Sequence, residues 1–278
     1  MISSEALHIG RLMLPWSVMM MIIGWLSVFF VGQYFKSRQH WSDLVWQRYK
    51  DSLWSCIWVG LLLARAVFVL NHYELYFVQP INIVKIQDKG FNFYAGWIAA
   101  GLWFIWKNRL LTRTVLLSSV LSFVLIQGLG MGLLKSLTVP QAYPNLSFTD
   151  LKQQSQPLAQ LIGKPTVVNL WASWCPPCHR EMPVFDRAQR DYPKLQFIFI
   201  NQGESPDTIH AYLQRNQLQL QHVLLDPTGT MATEMKMFGL PSTLFFNAQG
   251  QLLERHLGEL NPPMLQHYIE KITVQSTD

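Results

Sequence analysis

"TVVNLWASWCPPCHREMP", Thr166 to Pro183, is the stretch on which the reading of this chain turns. Its first six residues form the kind of apolar, β-branched run that makes a buried strand. Cys175-Pro-Pro-Cys178 follows, a C-x-x-C dithiol, and with His179 added it also reads C-x-x-C-H, the attachment signature of a c-type haem. The two prolines suit a first helical turn, because the N–H groups they lack would be unpaired there. Cys175 then lies at a helix N-terminus, where the dipole favours a thiolate. Such placement lowers a thiol pKa from about 8.5 into the range of roughly 3.5–7.5. Thiolate is the attacking species in disulfide exchange, and Cys178, most of a turn further on, is spaced to resolve a mixed disulfide. A haem would need a large apolar pocket and usually a second axial ligand; a closed zinc site would need four ligands. The chain has one C-x-x-C, and its flanks fit dithiol chemistry, so no metal or other cofactor is expected. His179 reads as an exposed helix residue that can tune the thiols electrostatically. A structural disulfide is the bland alternative.

Outward from this stretch, short strands and helices alternate. Helix is expected from Pro176, strand at Leu195–Ile200, helix at Pro206–Asn216, strand at Val223–Leu225 and helix from Thr230 to Met237. Ser242–Leu257 reads as two strands joined at Asn247–Gly250, a hairpin signal, and a helix closes the series over Pro263–Thr273. The expected architecture is an α/β domain, a mixed sheet flanked by helices.

The first half differs in kind. Half of all residues are hydrophobic and 14% are charged, and nine of the eleven tryptophans lie at or before Trp106. Up to Thr138 there are 12 Lys/Arg against 5 Asp/Glu, net +7; beyond it the net is −2. The positive balance therefore belongs to the apolar half, where membrane topology calls for it, and no nucleic-acid partner is implied. Four stretches approach the ~20 apolar residues that a helix needs to cross a bilayer: Leu14–Phe35, Leu53–Leu70, Phe91–Trp106 and Val115–Leu137, the third being short. Helices are the expected form, since each backbone in lipid must satisfy its own hydrogen bonds. Lys36, Arg38, Arg48 and Lys50 fill the first connection and Lys107, Arg109 and Arg113 the third. In the second, Lys85 and Lys89 are balanced by Glu74 and Asp88. Positive-inside logic places the first and third connections in the cytoplasm and both termini outside. Trp16, Trp54 and Trp106 suit interfacial anchoring. The first span is too long for a cleaved signal peptide and has no clear cleavage site, so it reads as retained. Arg65, within the second span, is a functional candidate or a snorkelling side chain. Cys56 reads as a small hydrophobe. The expected division is a polytopic membrane domain over 1–138 and the α/β domain over 139–278.

Two resemblances sharpen this. "VVNLWASWCPPCHREMP", "LDPTGTMATEMKMFGLPSTLFFNAQGQLL" and "LIGKP" are similar to the TlpA/ResA-type branch of membrane-tethered thioredoxin-like reductases, over about residues 140–274. The resemblance implies a thioredoxin fold in which "FGLPST" (Phe238–Thr243) supplies a cis-proline loop facing the cysteines. The candidate cis bond is Leu240–Pro241, since cis bonds are essentially confined to X-Pro. Trp174, Leu240 and Pro241 are then the expected substrate-contacting residues, and Cys175, Cys178 and Glu181 the catalytic ones. Asn169 stands where cytosolic thioredoxin has a buried Asp. Glu181 matches a Glu that this branch places near its active site; burial would raise its pKa and let it exchange protons with Cys178. The resemblance implies protein thiol/disulfide substrates outside the cytoplasm, at the periplasmic face of a bacterial inner membrane. Apocytochrome c, and hence cytochrome c maturation, another thiol protein and a lipoprotein are all compatible. The membrane half has only Cys56, so electrons would come from a separate transmembrane thiol reductant of the DsbD or CcdA kind.

"LLLARAVFVLNHYELYFVQPINIVKIQDKGFNFYAGWIAA" resembles the early part of prolipoprotein diacylglyceryl transferases, over roughly residues 10–130. That family carries a "GGxSFHGG"-type motif; here it has become "KGFNFYAG", with Tyr94 in place of the functional His and Ala95 in place of a Gly. The rival reading, a lipid-modifying transferase with an accessory thioredoxin-fold domain, is weakened by that loss.

Overall fold

The apolar runs of the first half fold as helices, two of which start at a side chain that takes up an otherwise unpaired backbone N–H. The structure, a computed structural model, describes residues 6–9, 12–78, 80–83, 90–137, 141–161 and 163–274. Lys85, Asp88 and Lys89 of the second connection, Val139 and Pro140 at the expected boundary, and Ile162 of "LIGKP" lie outside the described residues. A two-stranded antiparallel hairpin, β1 (Ala6–Ile9) and β2 (Leu12–Pro15), leads into α1 (Trp16–Gln39). α2 (Asp43–Asn71) begins at Ser42, whose hydroxyl accepts from the Val45 amide. α3 (Tyr73–Val78) and a 3-10 turn at Pro80–Ile83 follow, then α4 (Phe93–Lys107) and α5 (Arg113–Leu137).

Among the described residues, three helical segments are long and apolar enough to cross a membrane: Val18–Gln39, Asp43–Asn71 and Arg113–Leu134. The expected third span, Phe91–Trp106, is not one of them. α4 has 15 residues, about 22 Å at 1.5 Å per residue, against roughly 30 Å of hydrocarbon. Its start is set by Asn92, whose side chain accepts from the Ala95 amide at 3.0 Å; Asn108 caps its other end.

Within this unit α2 packs along α4 and α1 along α5. The buried side chains include Val28, Tyr49, Leu53, Cys56, Phe104 and Val115. Several polar groups inside are paired, as a low-dielectric setting favours: Tyr49 Oη donates to the Val28 carbonyl at 2.8 Å and Asn108 Nδ2 to Ser52 Oγ at 2.7 Å. Cys56 is buried with its thiol 3.4 Å from the Ala100 carbonyl. Arg65 bends to the chain ahead of α4: Nη1 donates to the Gly90 carbonyl at 2.8 Å, and the guanidinium lies 5.7 Å from the Phe91 ring centroid. The α2–α4 contact depends on two glycines facing each other. A Cβ on Gly96 would stand 2.9 Å from the Gly60 carbonyl oxygen, and one on Gly60 would stand 3.1 Å from that of Gly96.

In the second half, β5 (Thr166–Trp171) is buried along its whole length, as expected of a central strand covered on both faces. It starts and ends where the sequence places it. The remaining strands are β3 (Ser147–Asp150), β4 (Ser155–Pro157), β6 (Gln196–Gln202), β7 (Val223–Asp226), β8 (Ser242–Phe246) and β9 (Leu252–Leu257). They form one sheet in the order β4-β3-β7-β6-β5-β8-β9, with β5, β6 and β7 parallel and the other neighbours antiparallel. α6 (Pro176–Asp191), α7 (Pro206–Arg215), α8 (Thr230–Glu234) and α9 (Pro262–Val274) connect or follow the strands. Val168, Leu170, Ile198, Ile200, Leu244 and Phe246 fill one core with Met231 and Met235; each such side chain contributes about 1.5–3 kcal/mol by leaving water. This is a mixed, helix-flanked sheet, as the sequence leads one to expect. By internal packing the chain divides into residues 1–73 with 90–139, and residues 74–89 with 140–278.

The glycine contact gives a stability test. Gly96→Leu should destabilise the detergent-solubilised chain by about 1–3 kcal/mol through overpacking, read as a lower melting temperature. Gly101→Ala, on the same helix with nothing within 4 Å of the added carbon, should leave it unchanged. Equal melting of both variants would mean that α2 and α4 do not meet at these glycines.

Candidate active site

The parallel strand β5 delivers the chain to a tight turn. Cys175 N–H donates to the Ala172 carbonyl at 3.3 Å, which makes Ser173 and Trp174 the corner of a β-turn. α6 begins immediately after it. Cys175 is its N-cap, Pro176 and Pro177 occupy the first turn, and the Cys175 sulfur accepts from the Cys178 amide at 3.3 Å. The two cysteines form a disulfide, with Cα atoms 5.3 Å apart. Both are buried, Cys178 completely and Cys175 to 3% exposure, while Trp174 beside them is 67% exposed. The sulfur pair is thus reached from the Cys175 side.

Glu181 follows Cys178 at i+3, one turn along the same helix face. Its side chain has no solvent exposure. Asn169 Nδ2, from β5, donates to one carboxyl oxygen at 2.8 Å, and the Leu260 amide donates to the other at 3.0 Å. Burial outweighs these two hydrogen bonds, and with a further push from Glu259 the pKa rises from 4.5 to about 8. Asn169 Nδ2 also donates to Thr243 Oγ1 at 3.1 Å, while its Oδ1 is buried and unpaired.

The Leu240–Pro241 peptide is cis. Register brings it to the site: Leu170 pairs with Ser242 across β5 and β8, so Pro241 stands at the end of the sheet where the turn to Cys175 begins. Pro241 is buried and Leu240 half-buried, whereas Phe238 on the same loop is 84% exposed.

Glu204 and Asn201, outside the sequence expectations, also converge here. Glu204, in the loop between β6 and α7, accepts from the Ser173 amide at 2.6 Å and from the Ser173 hydroxyl. Asn201 Nδ2 donates to the same carboxylate at 2.7 Å. On the other side of the turn, His179 Nε2 reaches the Ser173 carbonyl, and the imidazole stands edge-on to Tyr212 at 4.9 Å. His179 is exposed, as expected, but it also braces the turn. No short-range signal in "NQGES" announces Glu204: its contact spans 31 residues of sequence.

Both halves of the chain are similar to known proteins. Residues 139–255 match the model of the AhpC/TSA family, and residues 4–138 match that of prolipoprotein diacylglyceryl transferase. The second half is thus similar to the AhpC/TSA family and to proteins named ResA and DsbE. The thiol-disulfide oxidoreductase ResA of Bacillus cereus is 27% identical over 172 residues, covering 60% of this chain and 98% of the relative. The thiol:disulfide interchange protein DsbE of Allochromatium vinosum is 29% identical over 139 residues, covering 49% and 76%. Among solved structures, a thioredoxin family thiol:disulfide interchange protein from Chlorobium tepidum aligns with a TM-score of 0.44 at 21% identity, covering 48% of this chain and 97% of that one.

The Glu181 environment predicts a pH signature. A carboxyl whose pKa is 4.5 when unfolded and about 8 when folded binds its proton more tightly in the native state. Its stabilising contribution is full below the lower value and is lost as pH rises through the upper one. The melting temperature of the oxidised wild-type chain should fall more across this window than that of Glu181→Gln. Parallel pH profiles for the two would show that Glu181 ionises normally.

Proposed function

We propose that the protein is a membrane-tethered thiol-disulfide oxidoreductase that acts as a reductase of protein disulfides through Cys175 and Cys178. The observation that carries this reading is the disulfide at the N-terminus of α6, with its second sulfur sealed and a buried carboxyl one turn behind it. In the reduced protein, the Cys175 thiolate attacks a substrate sulfur. The substrate S–S bond breaks, a mixed disulfide forms, and the departing sulfur takes a proton. Cys178 then loses its proton, attacks the Cys175 sulfur and releases the second substrate thiol, so two electrons pass to the substrate and the protein ends oxidised. Glu181 is the acid–base partner of Cys178, because a buried carboxyl titrating near neutrality can both hold and give up a proton. With Glu181 protonated, the Asn169 amide turned over would offer its oxygen to that proton. Trp174, Leu240 and Pro241 form the surface met by the substrate chain.

The oxidised protein must regain two electrons. A separate transmembrane thiol reductant of the DsbD or CcdA kind would supply them, since Cys56 is the only cysteine before residue 175. In the membrane we take α4 as a fourth crossing alongside α2. With the basic first and third connections inside, both termini and the thioredoxin-like domain then face the periplasm of a bacterial inner membrane. Impermeant thiol reagents should label a cysteine introduced at Gln266 from outside in intact cells, and one introduced at Gln39 only after lysis. A lipid-transfer activity of the first half is the alternative, favoured by the match over residues 4–138 and opposed by Tyr94 at the position of the functional His.

Cys178→Ser should leave Cys175 covalently joined to its target in cells, while Cys175→Ser should trap nothing. Glu181→Gln should slow exchange at neutral pH by about 10²-fold, the lower end for a lost acid–base group. If no partner is trapped, and the full chain neither reduces nor oxidises a polypeptide disulfide, the oxidoreductase reading fails.

A further inference from the structure

Every polar group of Ser173, at the corner of the redox turn, is held from outside the turn. The Ser173 amide and hydroxyl both end on Glu204, the Ser173 carbonyl on His179, and the Glu204 carboxylate is itself steadied by Asn201. Asn201 sits opposite Trp171 in the β5–β6 register, so the carboxylate is anchored to the strand next to the one carrying the turn. Ser173 precedes Cys175 by two residues within a four-residue turn, whose ends lie less than about 7 Å apart. The carboxylate charge is thus within about one Debye length of the attacking sulfur.

We propose that Glu204 is a positioning residue of thiol–disulfide exchange: acting through Ser173, it fixes the turn that presents Trp174 and Cys175, and its charge opposes the thiolate so that the dithiol gives up electrons more readily. This rests on the oxidoreductase reading. The geometric part follows from the donors. A carboxylate fork accepts an N–H and an O–H from one residue, and such charge-assisted bonds are about twice as strong as neutral ones. Without it, the Ser173 amide loses its partner beside the reacting atoms. The electrostatic part follows from sign. A negative charge near a thiolate disfavours the charged sulfur, which weakens the reduced form relative to the disulfide and makes the pair a stronger reductant.

Two substitutions separate the parts. Glu204→Ala removes charge and contacts together. Glu204→Gln removes the charge, but its carbonyl oxygen can still accept from Ser173 N–H and Asn201, and its amide can donate to the Ser173 hydroxyl. In the full-length protein in detergent, Glu204→Ala should reduce a polypeptide disulfide about tenfold more slowly, as loss of one charge-assisted bond in the transition state implies. Glu204→Gln should stay within about threefold of wild type in rate, and its equilibrium with glutathione should move about threefold toward the dithiol. Melting temperatures of the oxidised proteins, and the milder Ser173→Ala, which deletes the hydroxyl contact alone, separate a loosened turn from a misfolded chain. An active wild type with an unimpaired Glu204→Ala overturns the proposal alone. So does a Glu204→Gln that is as slow as Glu204→Ala with its equilibrium unmoved. A wild-type chain that exchanges with no disulfide overturns the oxidoreductase reading and this one with it.

Discussion

The end of a strand buried on both faces is the constraint on which the site depends. β5 lies inside the sheet, between β6 and β8, with each of its six side chains enclosed. A strand so held aims the residue after its last turn with little freedom. Cys175 receives its position from that packing, and α6 carries the consequences forward: Cys178 goes into the interior at i+3 and Glu181 to the same face at i+6. The antiparallel neighbour β8 uses the same strand as its ruler, and register alone sets Pro241 across from the turn. The Asn169–Glu181–Leu260 chain of hydrogen bonds then closes the space behind the sulfur atoms. A carboxyl in that space cannot be hydrated, so it keeps a proton that a surface glutamate would have shed.

Features with local causes were legible in the sequence. Thr166–Trp171 announces itself by its largely apolar, β-branched run and α6 by its prolines. The hairpin of β8 and β9 is read from the Asn247–Gly250 turn, and the cis peptide from a proline at a strand start together with the family resemblance. β3 and β4 escaped notice, because "SFTD" and "SQP" carry no apolar run: at the edge of the sheet only Phe148 is fully buried. α4 reads as a span from its composition, yet its length is set by two asparagines that hydropathy ignores. Glu204 could not be found at all, since its partner is a backbone amide on another strand's loop. His179 was visible but undervalued: its ring contact depends on how the turn folds back.

The two halves of the chain spend their polar atoms differently. In the first, hydroxyls and amides such as Tyr49, Ser52 and Asn108 are paired inside the helix bundle, and the outer faces are left to tryptophan, leucine and isoleucine. In the second, Asn169, Glu181 and Thr243 are buried and joined by hydrogen bonds one turn of α6 beyond Cys178. Similarity to a lipid-modifying family in the first half and to disulfide-exchange proteins in the second follows the same division.

The proline pair has a consequence for what the helix end can hold. A helix usually offers several unpaired N–H groups at its start, and many proteins use them to bind phosphate. At α6 that supply is exhausted. Pro176 and Pro177 have no N–H, the Cys175 amide is spent on Ala172, the Cys178 amide points at the Cys175 sulfur, and the His179 amide returns to the Cys175 carbonyl. No donor is left for an oxyanion. One of the commonest anion-binding devices in proteins is here committed to a single sulfur atom.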